Sequence, residues 1–134
     1  MEFKSSFLLI EDNLIDQLVI KQLLKKVLYV DPVFIANNGK EGLQWLIDNS
    51  KYHKPLIILL DIQMPVMNGF EFLNEYNKLS IEFKKDIQVY VLSSTLDPDE
   101  IIEINKNKAV FKLLSKPFPI EEFRETFCIN TKAS

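Results

Sequence analysis

The chain has 134 residues, 47% hydrophobic and 26% charged, with a formal net charge of −3, a profile that suits one globular domain with a single good core and leaves little room for a second. The weak negative balance argues against non-specific nucleic-acid binding, and the single cysteine, Cys128, excludes an internal disulfide and fits a reducing compartment. The opening Met1-Glu2-Phe3-Lys4-Ser5-Ser6 is not a signal peptide and the apolar runs are too short to span a bilayer, so a cytoplasmic protein without membrane insertion is expected.

Phe7-Leu8-Leu9-Ile10 is a short apolar run that stops at Glu11-Asp12 and reads as a first strand. Asp12 or Asn13 caps the next helix, along which Ile15, Leu18, Val19, Leu23 and Val27 recur at helical spacing until Asp31-Pro32 breaks the pattern. Val33-Phe34-Ile35-Ala36 is a second strand, Asn37-Asn38-Gly39 a turn, and Leu43, Leu46 and Ile47 mark a second helix ending near Asp48-Asn49-Ser50. Leu56-Ile57-Ile58-Leu59-Leu60 runs unbroken into Asp61, as a strand buried on both faces would. A third helix starts near Asn68-Gly69 and buries Phe72, Leu73, Tyr76 and Leu79. Ile87-Gln88-Val89-Tyr90-Val91-Leu92 is a fourth strand ending in Ser93-Ser94-Thr95, and Asp97-Pro98-Asp99-Glu100 opens a fourth helix. Val110-Phe111-Lys112-Leu113-Leu114 is a fifth strand, followed by Ser115-Lys116-Pro117 and a last helix marked by Ile120, Phe123 and Phe127.

Five strands alternating with five helices predict right-handed βαβ units and a parallel sheet covered on both faces, an α/β three-layer doubly wound sandwich of strand order 2-1-3-4-5. Every strand then ends on one edge. Glu11 and Asp12 follow strand 1, Asp61 closes strand 3, Ser93 closes strand 4, and Lys116-Pro117 follows strand 5. Three carboxylates brought together repel at neutral pH, so one takes up a proton or a cation settles among them. Oxygen ligands point to Mg²⁺. With Lys116 and the Ser93 hydroxyl available to phosphoryl oxygens, this is the inventory of phosphoryl transfer. Each residue alone has a plainer reading: a helix cap, a turn residue, a strand-end hydroxyl, a solvated lysine. His53, in the polar turn Ser50-Lys51-Tyr52-His53-Lys54, reads as solvated. Cys128, Trp45, Met64 and Met67 read as packing.

These residues carry a resemblance to the receiver domain of two-component response regulators, the CheY-like family, through Glu11-Asp12, the block Leu59-Leu60-Asp61-Ile62-Gln63-Met64-Pro65-Val66-Met67-Asn68-Gly69, Ser93 and Lys116-Pro117-Phe118. It covers about Ser6 to Phe127 of a single domain over 1–134. The resemblance implies that Asp61 accepts a phosphoryl group from a sensor histidine kinase or a histidine phosphotransfer protein, giving a 4-aspartylphosphate, and that the chain is a signalling domain rather than an enzyme. It implies Mg²⁺ (or Mn²⁺) on Glu11, Asp12, Asp61 and the backbone carbonyl of Gln63. Ser93 resembles the switch hydroxyl and Lys116 the phosphate-binding lysine, with a cis Lys116-Pro117 bond; Gln63 and Thr95 sit where the family tunes phosphoryl lifetime.

Two departures stand out. Leu113 occupies the position where many receivers carry the switch aromatic, with Phe111 expected on the same strand face by alternation. The turn before strand 5, where the family often holds Gly, is Asn107-Lys108-Ala109, and Asn107 could supply a left-handed residue there instead. The resemblance places the partner face on helix 4, strand 5 and helix 5, roughly Asp97 to Phe127. Only Cys128 to Ser134 follow the last helix, so a stand-alone receiver with no output domain is expected. Among rivals, a Mg²⁺-dependent phosphohydrolase with an Asp nucleophile would want a second Asp where Gln63 stands. A flavodoxin-type binder would want a phosphate loop where Glu11-Asp12 stand. A receiver fold serving only as an interaction module, without phosphorylation, is the remaining alternative.

Overall fold

The structure is a computed structural model that describes residues 5–133, with side chains described to Phe127; the packing expected of Cys128 lies outside the described side chains. Strands β1 (Ser6–Ile10), β2 (Phe34–Ala36), β3 (Leu56–Asp61), β4 (Ile87–Ser93) and β5 (Val110–Ser115) form one parallel sheet in the order β2-β1-β3-β4-β5. The helices are α1 (Leu14–Leu28), α2 (Gly39–Asn49), α3 (Gly69–Asn77), α4 (Ile81–Lys84), α5 (Pro98–Lys106) and α6 (Ile120–Ala133). The doubly wound sheet expected from the sequence is therefore the observed fold.

All six residues of β3 are buried, because it lies at the centre with an apolar layer on each side. On one face Leu8, Ile10, Ile58, Leu60, Val89 and Val91 meet Leu46 of α2, Phe72, Leu73 and Tyr76 of α3, and Ile104 of α5. On the other, Phe7, Leu9, Ile57, Leu59, Tyr90 and Leu92 meet Ile20 and Leu24 of α1 and Phe123 and Phe127 of α6. Each fully buried large aliphatic side chain contributes roughly 1.5–3 kcal/mol, so the two layers clamp β3 rigidly and fix the position of the carboxylate at its tip.

Side-chain oxygens start the helices where the sequence offers them. Asn13, not Asp12, caps α1, and Asn38, Asn68, Ser80 and Asp97 cap α2 to α5 in turn. Asn68 forms a full capping box with Glu71. The third helix ends before Leu79. It stops at Asn77, and Ser80 caps the separate single turn α4, whose Phe83 carbonyl is held by Lys54 Nζ at 2.6 Å. Among the described residues there is thus one short α-helix beyond the five expected, besides a 3-10 turn at Ser50–Tyr52, and the predicted partner face becomes α5–β5–α6.

Four expectations fail in detail. On α1 the buried face is Gln17, Ile20 and Leu24, whereas Leu14, Ile15, Leu18 and Val19 are exposed. His53 is half-buried, its ring 4.7 Å from Phe34 and 5.6 Å from Trp45. Asn107 has φ −72 and instead accepts the Ala109 N–H with its side chain, while the positive-φ residues are Tyr29, Val66 and Asp86. Phe111 does not share a face with Leu113. Val89 pairs with Val110 but Tyr90 pairs with Lys112, so Phe111 is the extra residue of a bulge and alternation breaks there. Leu113 joins the α3/α5 layer, and Phe111 turns to Tyr90, at 5.3 Å between ring centres.

Candidate functional site: an acidic cluster with one lysine

The carboxyl edge of the sheet brings Glu11, Asp12 and Asp61 together, with one oxygen from each within 4.8 Å of the others. The topology makes this possible, since β1 and β3 are neighbours and Ile10 pairs with Leu60. Glu11 and Asp61 are buried while Asp12 is exposed. Asp61 Oδ1 accepts the N–H of Gln63 at 3.3 Å, and Glu11 Oε2 accepts that of Asn13 at 3.0 Å.

Lys116 enters from the end of β5. Its Nζ lies 3.1 Å from Asp61 Oδ1 and 3.1 Å from Glu11 Oε1, and 3.6 Å from Asp16 Oδ2. The Lys116–Pro117 peptide is cis, and the Lys116 N–H donates to the Ser93 carbonyl at 2.9 Å. Burial acts to lower the Lys116 ammonium, but the carboxylates of Asp61 and Glu11 outweigh it and leave it above its ordinary value. Burial pushes the Glu11 carboxyl up to about 7; Asp61 adds to this, against the Asn13 N–H and Lys116, which pull it down.

Ser93 is buried and its Oγ accepts the Thr95 N–H at 3.0 Å, while the neighbouring Ser94 is exposed. That bond uses a lone pair and leaves the hydroxyl proton free to donate. Thr95 Oγ1 accepts the Asp97 N–H at 3.1 Å, and Gln63 is exposed at the start of the β3–α3 loop. The loop closes tightly. Gly69 donates to the Ile62 carbonyl at 2.9 Å, and a Cβ on it would sit 2.7 Å from Ile62 Cα and 2.9 Å from the Asp61 carbonyl, so only glycine allows this approach.

The cluster fits a hard divalent cation. Its donors are all carboxylate oxygens, and Lys116, the lysine at the cluster, lies 3.1 Å from two of them, Glu11 and Asp61, so three carboxylates are set against one ammonium. The sequence reading missed Asp16 and Gln17. Gln17 is buried and donates from Nε2 to the Glu11 carbonyl at 2.6 Å and to Asn37 Oδ1 at 2.8 Å, tying α1 to both β1 and the β2–α2 loop. The available signal was their place in the first turn of the helix that follows Glu11-Asp12.

Comparison with known proteins agrees with this geometry. Residues 7–127 match the model of the response regulator receiver domain. The chain is 34% identical over 118 residues to the probable C4-dicarboxylate response regulator DctR of Bacillus subtilis (strain 168), spanning 88% of this chain and 48% of that protein. It is 33% identical over 92 residues to a protein-glutamate methylesterase/protein-glutamine glutaminase of Desulfotalea psychrophila, of which it spans 23%. Among solved structures, a response regulator receiver protein from Dyadobacter fermentans superposes with TM-score 0.82 at 29% identity, over 92% of this chain and 94% of that one. No helix among the described residues is long and apolar enough to cross a membrane. Strand order, acidic edge and these matches together show that the chain belongs to the response regulator receiver domain family of two-component signalling.

Proposed function

We propose that Asp61 accepts a phosphoryl group from a phosphohistidine of a sensor histidine kinase or a histidine phosphotransfer protein, and that the chain then signals to a protein partner by a change in shape. The observation that carries this reading is the meeting of three carboxylates with the Lys116 ammonium 3.1 Å from Asp61. An Asp61 oxygen attacks phosphorus, the bond from phosphorus to the donor imidazole nitrogen breaks, and that nitrogen keeps the electron pair and takes up a proton. Glu11, Asp12, Asp61 and the Gln63 carbonyl would hold Mg²⁺ (or Mn²⁺), which when bound neutralises charge on the phosphoryl oxygens. Lys116 supplies a point charge to one such oxygen and the Ser93 hydroxyl a hydrogen bond to another.

Two exposed surfaces support the routes in and out. The first turns of α1 leave Leu14 and Ile15 bare beside the Asp16–Lys116 pair, with Leu18 and Val19 following, an apolar face where the histidine-bearing partner would dock at the mouth of the site. On the far side Ile102 and Phe111 are exposed on α5–β5–α6, where a shift of Ser93 and Lys116 would be read by the downstream partner. Lifetime of the phosphoryl group would be set by how Gln63 and Thr95 admit water.

The test is incubation with Mg²⁺ and acetyl phosphate followed by mass spectrometry of the intact chain. One added phosphoryl group is expected, absent when Mg²⁺ is chelated and absent in Asp61→Asn. Labelling that survives Asp61→Asn would sink the reading, as would an unlabelled parent chain that also ignores beryllofluoride.

A further inference from the structure

We infer that Asp16 is a positioning residue, a fourth carboxylate that draws Lys116 toward the rim and loosens its hold on a phosphoryl group at Asp61; this deepens the phosphoacceptor reading and rests on it. Lys116 Nζ has three anionic neighbours, Glu11 Oε1 and Asp61 Oδ1 at 3.1 Å and Asp16 Oδ2 at 3.6 Å. The first two belong to the converging carboxylates that would engage a divalent cation. Asp16 is outside that group, so it remains the lysine's anionic partner when the others turn to metal.

Asp16 is held in place for this. Its N–H donates to Asn13 Oδ1 at 2.9 Å, and the Asn13 N–H donates to Glu11 Oε2 at 3.0 Å, so the helix start is tied to the site. Gln17 Nε2 locks the next residue to the Glu11 carbonyl. The Asp16 side chain is 45% exposed and that of Lys116 22%, and both line a small cavity of about 60 Å³ together with Val19 and Pro117. The cavity gives the lysine side chain room on the Asp16 side, away from the inner pair of carboxylates. A phosphoryl group must compete with Asp16 for the same cation.

A first-turn acid also favours the positive end of its helix, and that role alone would change stability without touching ligand affinity. Beryllofluoride, which occupies the place of the phosphoryl group on an aspartate, separates the two when titrated into the chain at saturating Mg²⁺. Asp16→Asn is expected to bind it about two- to fivefold more tightly, the range a partly exposed ion pair allows. Asp16→Glu, which keeps the charge, is expected to stay near the parent affinity, and added KCl should narrow the gap between Asn variant and parent. Unchanged or weaker binding by Asp16→Asn, with the parent binding normally, overturns the role of Asp16 and leaves the phosphoacceptor reading standing. Failure of the parent to bind at all overturns both.

Discussion

Tyr90 is completely buried on β4, between the rings of Phe111 at 5.3 Å and Phe123 at 4.9 Å, and its hydroxyl has no hydrogen-bond partner among the described residues. A desolvated hydroxyl without a partner costs free energy that the ring's packing must offset. Tyr90→Phe keeps the ring and removes the cost, so urea unfolding at neutral pH is expected to show a gain of about 1 kcal/mol. The same burial pushes the Tyr90 phenol from 10.0 to about 12. The folded chain then holds a proton that the unfolded chain releases between these values. The resulting stability is fully present below 10.0 and lost as pH rises toward about 12. The advantage of the Phe variant should therefore widen with pH through that window. A Phe variant less stable than the parent at neutral pH would mean that the hydroxyl has a partner after all.

At the scale of elements, the sequence was most readable where one signal dominated. The unbroken run into Asp61 could be satisfied only by a central strand, and strand order put Glu11, Asp12 and Asp61 on one edge. The α1 stripe was less readable, because its first turns overhang the site edge rather than the sheet, and spacing alone does not say which apolar residues find a core. The β5 bulge was hidden because period-two alternation carries no trace of one extra residue; only pairing with Tyr90 and Val89 reveals it. Asp16 and Gln17 were hidden for a third reason, since side-chain reach across elements is not a property of spacing. The β3–α3 loop offers a test of its own. Val66 has φ 68, a left-handed value costly for a β-branched residue, and Met67 N–H donates to the Pro65 carbonyl at 2.8 Å across it. Val66→Gly should relieve the strain and raise stability by about 1 kcal/mol in thermal unfolding, even after glycine's entropic cost. A destabilised Gly variant would show that the exposed Val66 side chain contributes more than its backbone costs.

For the molecule as a whole, the acidic edge is a charge imbalance with a built-in but partial remedy. The chain meets its buried carboxylates with Lys116, and a divalent cation would need the Glu11 and Asp61 oxygens that the ammonium touches. Lysine and a divalent cation would thus compete for the same carboxylate oxygens, although in the proposed function both serve the same phosphoryl group. Lys116→Ala should show the competition directly. Without the lysine the buried Glu11 and Asp61 lose their cationic partner and Glu11 is driven further toward its protonated form, and unfolding in a chelator should show a loss of about 1–3 kcal/mol, discounted for the part of the side chain that reaches solvent. Calorimetric titration of the same variant should show Mg²⁺ binding tightened about three- to tenfold, because the cation no longer has to displace another. Excess Mg²⁺ should then restore much of the lost stability, since binding at about a hundred times the dissociation constant contributes roughly 2.7 kcal/mol. Weaker Mg²⁺ binding in Lys116→Ala would contradict the competition and would mean that the lysine organises the carboxylates for the metal instead of standing in for it.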